Sequence, residues 1–453
     1  MSLLLEAFER HCRDRAHQPA LWSRGEGLKL SFAQLADRAR ERASRLDSEP
    51  GELVGVGTGN RAAFVELFLA LRARGSVMVA VDASLPGAEK LALARRFGLR
   101  RLLHCDESLP GEPLDDGLWQ ASIDLDDTPA HAPDLALVKL TSGTTGQSLG
   151  LGLTEPALLA GIQQIGAGMQ LHARDRVLVA IPLSHSYGFD NGVLSLAVLG
   201  TPLILEPSFF PQSLLRALAE SEASFFPAVP PMVRALVESD WPQDLPLRQV
   251  ISAGGPLTRE FAESFLARSG RPVHQFYGST ETGGISFERR PLEPEAADTV
   301  GHPLPGVAIQ LDAEGVVHVD SAANFSRYLG KEPRSARAVV LGDRAEWTAE
   351  GRLRLIGRVA DLLNVAGRRV STAAVETSLK AVSGVTDAAV VSIEDPVRGD
   401  RVVAFLVGHR HPIPRSRLPH GLASRDIRWI DQLPVSERGK LDRAKLRDWA
   451  RER

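Results

Sequence analysis

A run of hydroxyl and glycine residues begins at residue 141, shortly after the apolar segment Leu135–Val138. Its members are Thr141, Ser142, Gly143, Thr144, Thr145 and Gly146. Glycines let backbone N–H groups turn toward one point, and the hydroxyl groups add further donors, so such a loop can surround an anion. The usual P-loop is excluded because no Gly-Lys-Ser or Gly-Lys-Thr follows. The pattern predicts a polyphosphate-binding loop, with a Ser/Thr/Gly-rich surface turn as the alternative.

Four further stretches carry side chains that suit the binding of a nucleotide. They are residues 277–282 (Tyr-Gly-Ser-Thr-Glu-Thr), Gly342–Asp343, residues 357–361 (Gly-Arg-Val-Ala-Asp) and residues 434–443 around Lys440. Together they offer an aromatic face, hydroxyl groups, carboxylates and a lysine. Only seven of the 53 basic residues are lysine, so Lys440 is of interest, because a planar guanidinium does not replace a compact ammonium.

The elements that must position these residues alternate between strand and helix patterns. Val77–Val81 is one of several apolar runs typical of buried strands. A capping box at Ser31 and Gln34 predicts the start of a helix that we expect to extend through Leu46. Such alternation predicts parallel strands joined by helices. We expect two successive α/β units side by side, with residues 107–134 as a loop or excursion before the loop at residue 141.

The second α/β unit includes a helix predicted over Gly192–Leu199. From Thr299 onward, alternating segments and turns predict hairpins instead, and a smaller α+β segment follows Gly357. The predicted fold class is therefore α/β. A large N-terminal domain (residues 1–360) would hold two adjacent α/β subdomains and a small β-rich subdomain, followed by a small α+β C-terminal domain (residues 361–453).

The composition excludes several classes of protein. The chain has 453 residues, of which 43% are hydrophobic and 24% charged, with a net charge of −3. This charge argues against a nucleic-acid-binding protein, and no apolar run approaches the roughly 18 residues of a membrane span. Charged residues appear within a few positions of the N-terminus, which therefore does not resemble a signal peptide. Cys12 and Cys105 form neither a disulfide framework nor a zinc site. We expect a cytoplasmic protein without integral membrane association.

In order and spacing, the loop and the four stretches resemble the adenylate-forming superfamily of acyl- and aryl-CoA synthetases, peptide-synthetase adenylation domains and luciferases. The resemblance covers essentially the whole chain. It implies an AMP-binding domain followed by a mobile C-terminal domain. It also implies a ligase that uses ATP and Mg²⁺ to convert a carboxylic acid to an acyl-adenylate, and then passes the acyl group to a thiol. Positioning and charge neutralisation at the α-phosphorus should dominate the first step.

The resemblance implies roles for individual residues. The loop at residues 141–146 would hold the β- and γ-phosphates, Thr280 would contact the α-phosphate, and Glu281 would bind Mg²⁺. Lys440 would be the mobile catalytic lysine, and Asp361 the hinge of the C-terminal domain. The nucleoside would contact Gly254, Gly255, Tyr277, Gly278, Asp343 and Arg358. Of these, Tyr277 would stack on adenine and Asp343 would accept hydrogen bonds from the ribose.

The carboxylic acid would lie between segments that follow predicted strands. It would contact His185, Tyr187, Gly188, Phe189, Val229 and Ala253. His185 would separate the carboxylate from ATP, with a structural histidine as the alternative. The apolar and aromatic walls fit an acyl or aryl acid. Phe189–Asp190 resembles the Phe-Asp with which adenylation domains bind an amino group, but Gly192 stands where those domains usually have serine, so an amino acid is disfavoured.

Two lysines of the family pattern are replaced. Leu149 stands in place of the lysine that usually follows the phosphate loop, and Asn364 in place of the lysine three residues after the hinge. We expect reduced turnover rather than inactivity, because Lys440 remains. The default thiol is coenzyme A, and the phosphopantetheine of a carrier protein is the alternative. Two other readings stay open: adenylation without thioester transfer, and a catalytically decayed nucleotide- or acyl-binding protein.

Overall fold

A computed structural model describes residues 2–452, except residues 116, 126–129, 142–147, 243, 297, 359–361, 366–367, 396–398, 412, 414–425 and 436–440. The elements are numbered here in chain order. The first are α1 (Leu3–Asp14), β1 (Pro19–Ser23), β2 (Leu28–Ser31), α2 (Phe32–Arg45), β3 (Leu53–Gly57), α3 (Ala62–Arg74), β4 (Val77–Ala80), α4 (Gly87–Arg96), β5 (Arg101–His104), β6 (Glu112–Asp115), β7 (Leu118–Ser122), β8 (Leu137–Thr141) and β9 (Leu149–Leu153).

The middle of the chain continues the alternation of helix and strand. Its elements are α5 (Glu155–Met169), β10 (Val177–Val179), α6 (Ser186–Phe189), a π-helix (Asp190–Leu199), β11 (Leu203–Leu205), α7 (Pro211–Ser221), β12 (Phe225–Ala228), α8 (Pro230–Val237), β13 (Gln249–Ser252), α9 (Arg259–Ser269), β14 (Val273–Ser279), β15 (Gly283–Phe287), a 3₁₀ turn (Pro294–Ala296) and β16 (His302–Pro303).

The last part of the chain is rich in strands. Its elements are β17 (Val307–Leu311), β18 (Val316–Ser321), β19 (Arg327–Tyr328), β20 (Val339–Trp347), β21 (Leu353–Arg358), β22 (Leu362–Val365), β23 (Arg368–Ser371), α10 (Thr372–Lys380), β24 (Val385–Asp395), β25 (Gly399–Gly408), β26 (Ile427–Trp429) and α11 (Arg443–Arg451).

Two mixed sheets form the body of the protein. The eight-stranded sheet has the order β19-β9-β8-β4-β3-β5-β7-β6, and its four central strands, from β8 to β5, are parallel. The nine-stranded sheet has the order β16-β15-β14-β13-β12-β10-β11-β1-β2, and its strands from β14 to β1 are parallel. The predicted parallel strands are therefore confirmed.

The N-terminal hairpin of β1 and β2 belongs to the nine-stranded sheet, although it precedes every strand of the other sheet. Leu21 of β1 pairs in parallel with Leu203 of β11. Leu21 and Leu30 of the hairpin are buried in the main core. The two α/β units are thus not successive along the chain as expected, because the second unit takes its last two strands from the N-terminus.

Helix α3 lies between the two sheets. It contacts β3 and β4 of the eight-stranded sheet and β1 of the nine-stranded sheet. Its residues from Ala62 to Arg72 are buried, as expected for a helix that is apolar on nearly every side. Its buried carboxylate, Glu66, pairs with Arg38 and Arg42 of α2. The two sheets consequently share one hydrophobic core.

Local sequence patterns account for some elements and miss others. The capping box is confirmed, since the Ser31 hydroxyl accepts from the Gln34 N–H and the Gln34 side chain accepts from the Ser31 N–H. Residues 107–134, expected to be a loop or excursion, contain the hairpin of β6 and β7. The predicted helix at Gly192–Leu199 lies within the π-helix. There the Ser195 hydroxyl donates to the Asp190 carbonyl, a side-chain bond that competes with regular helical geometry.

Smaller sheets complete the fold. Strands β17, β18, β20 and β21 form an antiparallel sheet. Strands β24, β25 and β26 form a mixed sheet, in which β24 is antiparallel and β26 parallel to β25. Helix α10 shares one small core with β24 and β25, and helix α11 shares a second. The predicted fold class is confirmed: two α/β subdomains and a β-rich subdomain, followed by a small α+β domain. Within the described ranges, no helix is long and apolar enough to cross a membrane.

Candidate active site

The carboxyl ends of three neighbouring strands bring distant segments together. Strands β12, β13 and β14 pair in parallel, so Val229, Ala253 and Tyr277 come to the same edge of the sheet. Such an edge is the usual place for a ligand in an open α/β sheet. Gly254 follows with a φ of +81°, which glycine adopts readily, and lies beside Val229. Gly254 and Gly255 are both exposed there.

A tyrosine, an aspartate and an arginine form a connected set at this edge. The Tyr277 hydroxyl donates to Asp343 Oδ2 over 2.8 Å, and Arg358 Nε donates to Asp343 Oδ1 over 3.1 Å. Asp343 and Arg358 face each other across β20 and β21. Burial, and after it the adjacent Asp343 carboxylate, raise the pKa of Tyr277, so its hydroxyl stays protonated as a donor. The structure thus brings together three residues predicted to bind the nucleoside.

The turn between β14 and β15 presents Thr280 and Glu281. Gly278 leads into the turn, and a Cβ there would lie 2.7 Å from the Gly283 carbonyl oxygen. The Phe325 N–H donates to the Glu281 carbonyl over 2.8 Å. Glu281 is half-buried, and its carboxylate has no hydrogen bond or ion pair with any residue that the structure describes.

The Glu281 carboxylate therefore has the chemistry of a ligand for a hard cation. Among the described residues, no group of three or more His, Cys, Asp and Glu side chains could hold a metal ion by itself. Mg²⁺ is commonly bound by one or two carboxylates together with substrate phosphates and water. The arrangement at Glu281 fits this mode, in which a nucleotide brings most of the ligands.

His185 is bonded to an aspartate that the sequence analysis did not identify. His185 Nε2 and Asp82 Oδ2 are 3.2 Å apart. Asp82 follows β4, and its other oxygen accepts from the N–H and hydroxyl of Ser84. Burial opposes the charge of Asp82, but the hydrogen bonds from His185 and Ser84 outweigh it and hold the pKa of Asp82 well below its usual range. Asp82 could have been identified from the sequence by its position at the carboxyl end of a predicted parallel strand.

A cavity of about 250 Å³ adjoins this pair. Asp82, Ser184 and His185 line one part of it, and the side chains of Leu85, Leu93 and Leu140 line much of the remainder. The cavity also reaches Ser148, which follows the predicted phosphate loop, and Glu89 and Arg96 of α4. Its walls combine apolar side chains with several polar and charged groups.

The predicted acid-binding residues after His185 point in different directions. The Tyr187 hydroxyl donates to the Ile251 carbonyl over 3.3 Å, which places this ring beside β13. At Gly188 a Cβ would lie 2.4 Å from the Pro182 carbonyl oxygen, so only glycine fits. Phe189 instead enters the core, where its ring centroid lies 5.1 Å from that of Phe68 in α3. The structure brings Tyr187 toward the strand ends and leaves Phe189 in the core.

Asp190 forms a buried ion pair with Lys139. Lys139 Nζ lies 2.7 Å from Asp190 Oδ1, and the two side chains are 3% and 10% exposed. Lys139 belongs to β8, which leads to the predicted phosphate loop, and Asp190 begins the π-helix. The carboxylate that resembled an amino-group ligand thus already binds an ammonium of the chain itself. Lys139 is one of the seven lysines of the chain, but its partner could not be inferred from the sequence.

Several predicted residues lie outside the described part of the chain. They are Ser142, Gly143, Thr144, Thr145 and Gly146 of the loop, the hinge residue Asp361 and the catalytic lysine Lys440. Thr141 ends β8 and pairs with Leu149 of β9, on the two sides of that loop. The Leu149 side chain is exposed. Asn364 lies in β22, where it pairs with Arg369.

Comparison with known families gives two matches that cover most of the chain. A family model described as AMP-binding enzyme matches residues 8–329. A second model, described as AMP-binding enzyme C-terminal domain, matches residues 374–440. The first match includes every strand of both large sheets, from β1 to β19.

Individual relatives are similar at low sequence identity. Tyrocidine synthase 3 from Brevibacillus parabrevis is 26% identical over an alignment that covers 93% of this chain but only 7% of that protein. The 4-chlorobenzoate–CoA ligase of an Arthrobacter species is 29% identical, over 88% of this chain and 85% of the ligase. The structure of o-succinylbenzoate CoA synthetase from Bacillus subtilis with its acyl-adenylate intermediate has a TM-score of 0.84, 23% identity and coverages of 99% and 98%. At that identity, the likeness shows the fold alone.

Proposed function

Because this chain belongs to the AMP-binding enzyme family, and is thus an adenylate-forming enzyme, we propose that it activates an acyl or aryl carboxylic acid with ATP and transfers it to coenzyme A. The carboxylate oxygen attacks the α-phosphorus, and pyrophosphate leaves with the electron pair of the broken P–O bond. The thiol sulfur then attacks the acyl carbon of the adenylate, and AMP leaves. The products are a thioester, AMP and pyrophosphate.

The observation that carries this proposal is the connected set of Tyr277, Asp343 and Arg358 beside Glu281. A carboxylate has about four acceptor positions, and Tyr277 and Arg358 each use one on Asp343. The remaining positions can accept hydrogen bonds from two ribose hydroxyls, while Tyr277 offers a ring to adenine. The Glu281 carboxylate, which has no partner among the residues that the structure describes, suits Mg²⁺. Together these features support a working nucleotide site and argue against a decayed synthetase.

The first chemical step requires negative charge to be neutralised at the α-phosphorus. Mg²⁺ held at Glu281 would supply part of that neutralisation on the phosphate oxygens. The Thr280 hydroxyl, in the same turn, is proposed as a donor to the α-phosphate. We assign Lys440 to the position between the substrate carboxylate and this phosphate, residues 141–146 to the β- and γ-phosphates, and Asp361 to the hinge. These last assignments rest on the sequence motifs.

The surroundings of Asp190 support an acid without an α-amino group. An ammonium group is bound most strongly by a carboxylate that is not already neutralised. Asp190 is paired with Lys139, and both are buried, so it offers no free charge to a substrate. Tyr187, Val229 and Ala253 provide apolar and aromatic surface, which suits an acyl chain or an aromatic ring.

The cavity next to His185 offers a place for a second substrate. Its lining includes His185 but none of Tyr187, Val229 and Ala253. His185 is thus the residue that the cavity shares with the proposed acid site, where the thiol must attack. A carrier-protein phosphopantetheine has the same thiol arm as coenzyme A, and the kinship to a ligase and to a peptide synthase leaves it as the second candidate acceptor.

The test is ATP–pyrophosphate exchange with a panel of fatty, aryl and amino acids, followed by pyrophosphate release with coenzyme A or a phosphopantetheinylated carrier protein. We expect exchange that depends on one class of acyl or aryl acid and release that coenzyme A stimulates. Exchange with amino acids alone would contradict the substrate class. Stimulation by the carrier alone would contradict the acceptor. Absence of exchange in protein that binds ATP would favour the decayed synthetase.

Two neighbouring lysines provide a matched pair of variants. Lys440→Ala should lower exchange by about 100-fold, the effect of removing one group that stabilises transition-state charge. Lys445→Ala is the control, because Lys445 Nζ lies on α11 at 5.5 Å from the centroid of the Trp449 ring. Its exchange rate should match that of the wild type. Equal losses in the two variants would show that Lys440 has no specific role.

A further inference from the structure

The pair of Asp82 and His185 has the geometry of a base and its positioning residue. Asp82 Oδ2 contacts His185 Nε2, whereas Nδ1 has no hydrogen bond to any residue in the described part of the chain. In the neutral tautomer whose Nε2–H donates a hydrogen bond to the Asp82 carboxylate, the lone pair lies on Nδ1. The imidazole can therefore accept a proton at Nδ1.

Asp82 is itself held firmly. Its Oδ1 accepts from the Ser84 N–H at 3.0 Å and from the Ser84 hydroxyl at 2.7 Å, and its Oδ2 contacts His185. The Asp82 side chain is 9% exposed, and that of His185 is 30% exposed. One partner is thus fixed in the protein, while the other is open to the cavity.

The cavity brings few other charges to this pair. Glu89 and Arg96, both on α4, are the other charged residues among its described lining residues, and Leu85, Leu93 and Leu140 contribute apolar wall. Burial of Asp82 lowers the dielectric constant around the pair, which strengthens the interaction between a carboxylate and an imidazolium. Asp82 is therefore placed to stabilise the positive charge that the His185 ring gains when it accepts a proton.

We propose that His185 takes the proton of the acceptor thiol during thioester formation, and that Asp82 is the positioning residue that holds its ring. This inference rests on the proposed function. As the sulfur attacks the acyl carbon, the S–H bond breaks and its proton bonds to Nδ1. The S–C bond forms, the C–O bond to AMP breaks, and AMP leaves with the electron pair. The imidazolium, stabilised by the Asp82 carboxylate, then returns its proton to water.

The test separates the two half-reactions. ATP–pyrophosphate exchange measures adenylation, and a single turnover from preformed acyl-adenylate to coenzyme A measures transfer, followed between about pH 6.5 and about pH 9.5. An unperturbed thiol has a pKa of about 8.5, so solvent ionises it in the upper part of this range and makes a base unnecessary. A defect in proton removal must therefore depend on pH, whereas a defect in packing need not.

A second aspartate in the same sheet provides the matched control. Asp106 also accepts from the N–H and hydroxyl of a serine two residues later, at 3.1 and 2.6 Å, but it pairs with Lys90 instead of a histidine. Asp82→Asn should slow transfer at neutral pH by about 100-fold, the lower end of what general base catalysis supplies, and the deficit should shrink above about pH 8.5. Asp106→Asn should match the wild type, and Asp82→Glu should recover part of the rate.

If Asp82→Asn slows transfer to coenzyme A equally at every pH, or does not slow it at all, this inference is overturned. The proposed function still stands in that case if ATP–pyrophosphate exchange depends on an acid. Wild-type protein that shows no exchange with any acid would overturn both. Thermal unfolding checks that Asp82→Asn is folded. If it is not, His185→Gln takes its place, since the His185 side chain is partly exposed: a deficit that closes at high pH supports the inference, and a uniform deficit overturns it.

Discussion

Replacing Asp190 by asparagine removes one half of the buried pair with Lys139. The two charged atoms are 2.7 Å apart, and the Lys139 side chain is only 3% exposed. Without the carboxylate, the ammonium keeps its desolvation cost and loses the attraction that offset it. Breaking such a pair typically costs about 3–5 kcal/mol. We expect Asp190→Asn to lower the free energy of unfolding by about that amount.

The double variant Lys139→Met/Asp190→Leu should recover most of this loss. Both desolvation costs disappear together, and apolar side chains of similar size can fill the site. The coupling free energy between the two positions should therefore be at least about 2 kcal/mol, well above the roughly 0.5 kcal/mol within which independent sites add. The phenyl ring of Phe189, 5.7 Å from Lys139 Nζ, would gain an apolar neighbour in place of a cation.

The assay is urea unfolding followed by circular dichroism, with Asp240→Asn as the control. Asp240 pairs with Arg268 in the same subdomain, but these side chains are 99% and 49% exposed, so its loss should cost less than about 1 kcal/mol. If Asp190→Asn costs no more than this control, the buried-pair reasoning is wrong. If folded Asp190→Asn loses exchange with amino acids alone, Asp190 binds substrate and its assignment to the core is wrong.

Three further predictions concern the nucleotide site, the phosphate loop and acid stability. Tyr277→Phe removes the hydrogen bond to the Asp343 carboxylate, worth about 1.5–3 kcal/mol, and should raise the KM for ATP at least about tenfold; an unchanged KM would refute the role of this pair. Leu149→Lys restores a cation at an exposed position and should increase pyrophosphate release severalfold, and no gain would count against the loop assignment. Hydrogen bonds from Ser108 and then Lys90 lower the pKa of Asp106 to about 2. Because this pKa is lower than in the unfolded chain, the ionised Asp106 stabilises the folded protein. The stabilisation is fully present above the pKa of about 3.9 that Asp106 has in the unfolded chain, and it is lost as pH falls toward 2. The difference in melting temperature between wild type and Asp106→Asn should shrink over that range, and a constant difference would contradict the assignment.

The parts of the fold that were predictable depend on local patterns. The capping box of Ser31 and Gln34 and the alternation of apolar runs with helices can be read within short windows, because they follow from backbone hydrogen bonding and burial of one face. The pairing of Leu21 with Leu203 cannot be predicted from a short window, since any strand of similar character could have been the partner. The π-helix also escaped prediction, because its apolar residues follow the pattern of an ordinary helix.

The candidate site divides in the same way. Tyr277, Asp343 and Arg358 were predicted from motif order, and the structure connects them. Asp82 and Lys139 were not assigned roles, because their meaning comes from partners far away in the sequence. Phe189 adjoins His185 and Tyr187 in the sequence, but the helical turn directs it into the core. The roles of residues 142–146, Asp361 and Lys440 stay predictions.

The placement of the N-terminal hairpin has a consequence for how the chain is made. During synthesis, β1 and β2 leave the ribosome before every strand of the eight-stranded sheet, but β1 cannot pair with β11 until β11 has been translated. The edge of β1 that pairs with β11 must remain without its partner strand while the whole of the first α/β unit is made, and such long-range closure slows folding. The two units are therefore coupled in time as well as in space. A ribosome stalled before residue 203 would present the unpaired edge of β1 to chaperones and to other nascent chains.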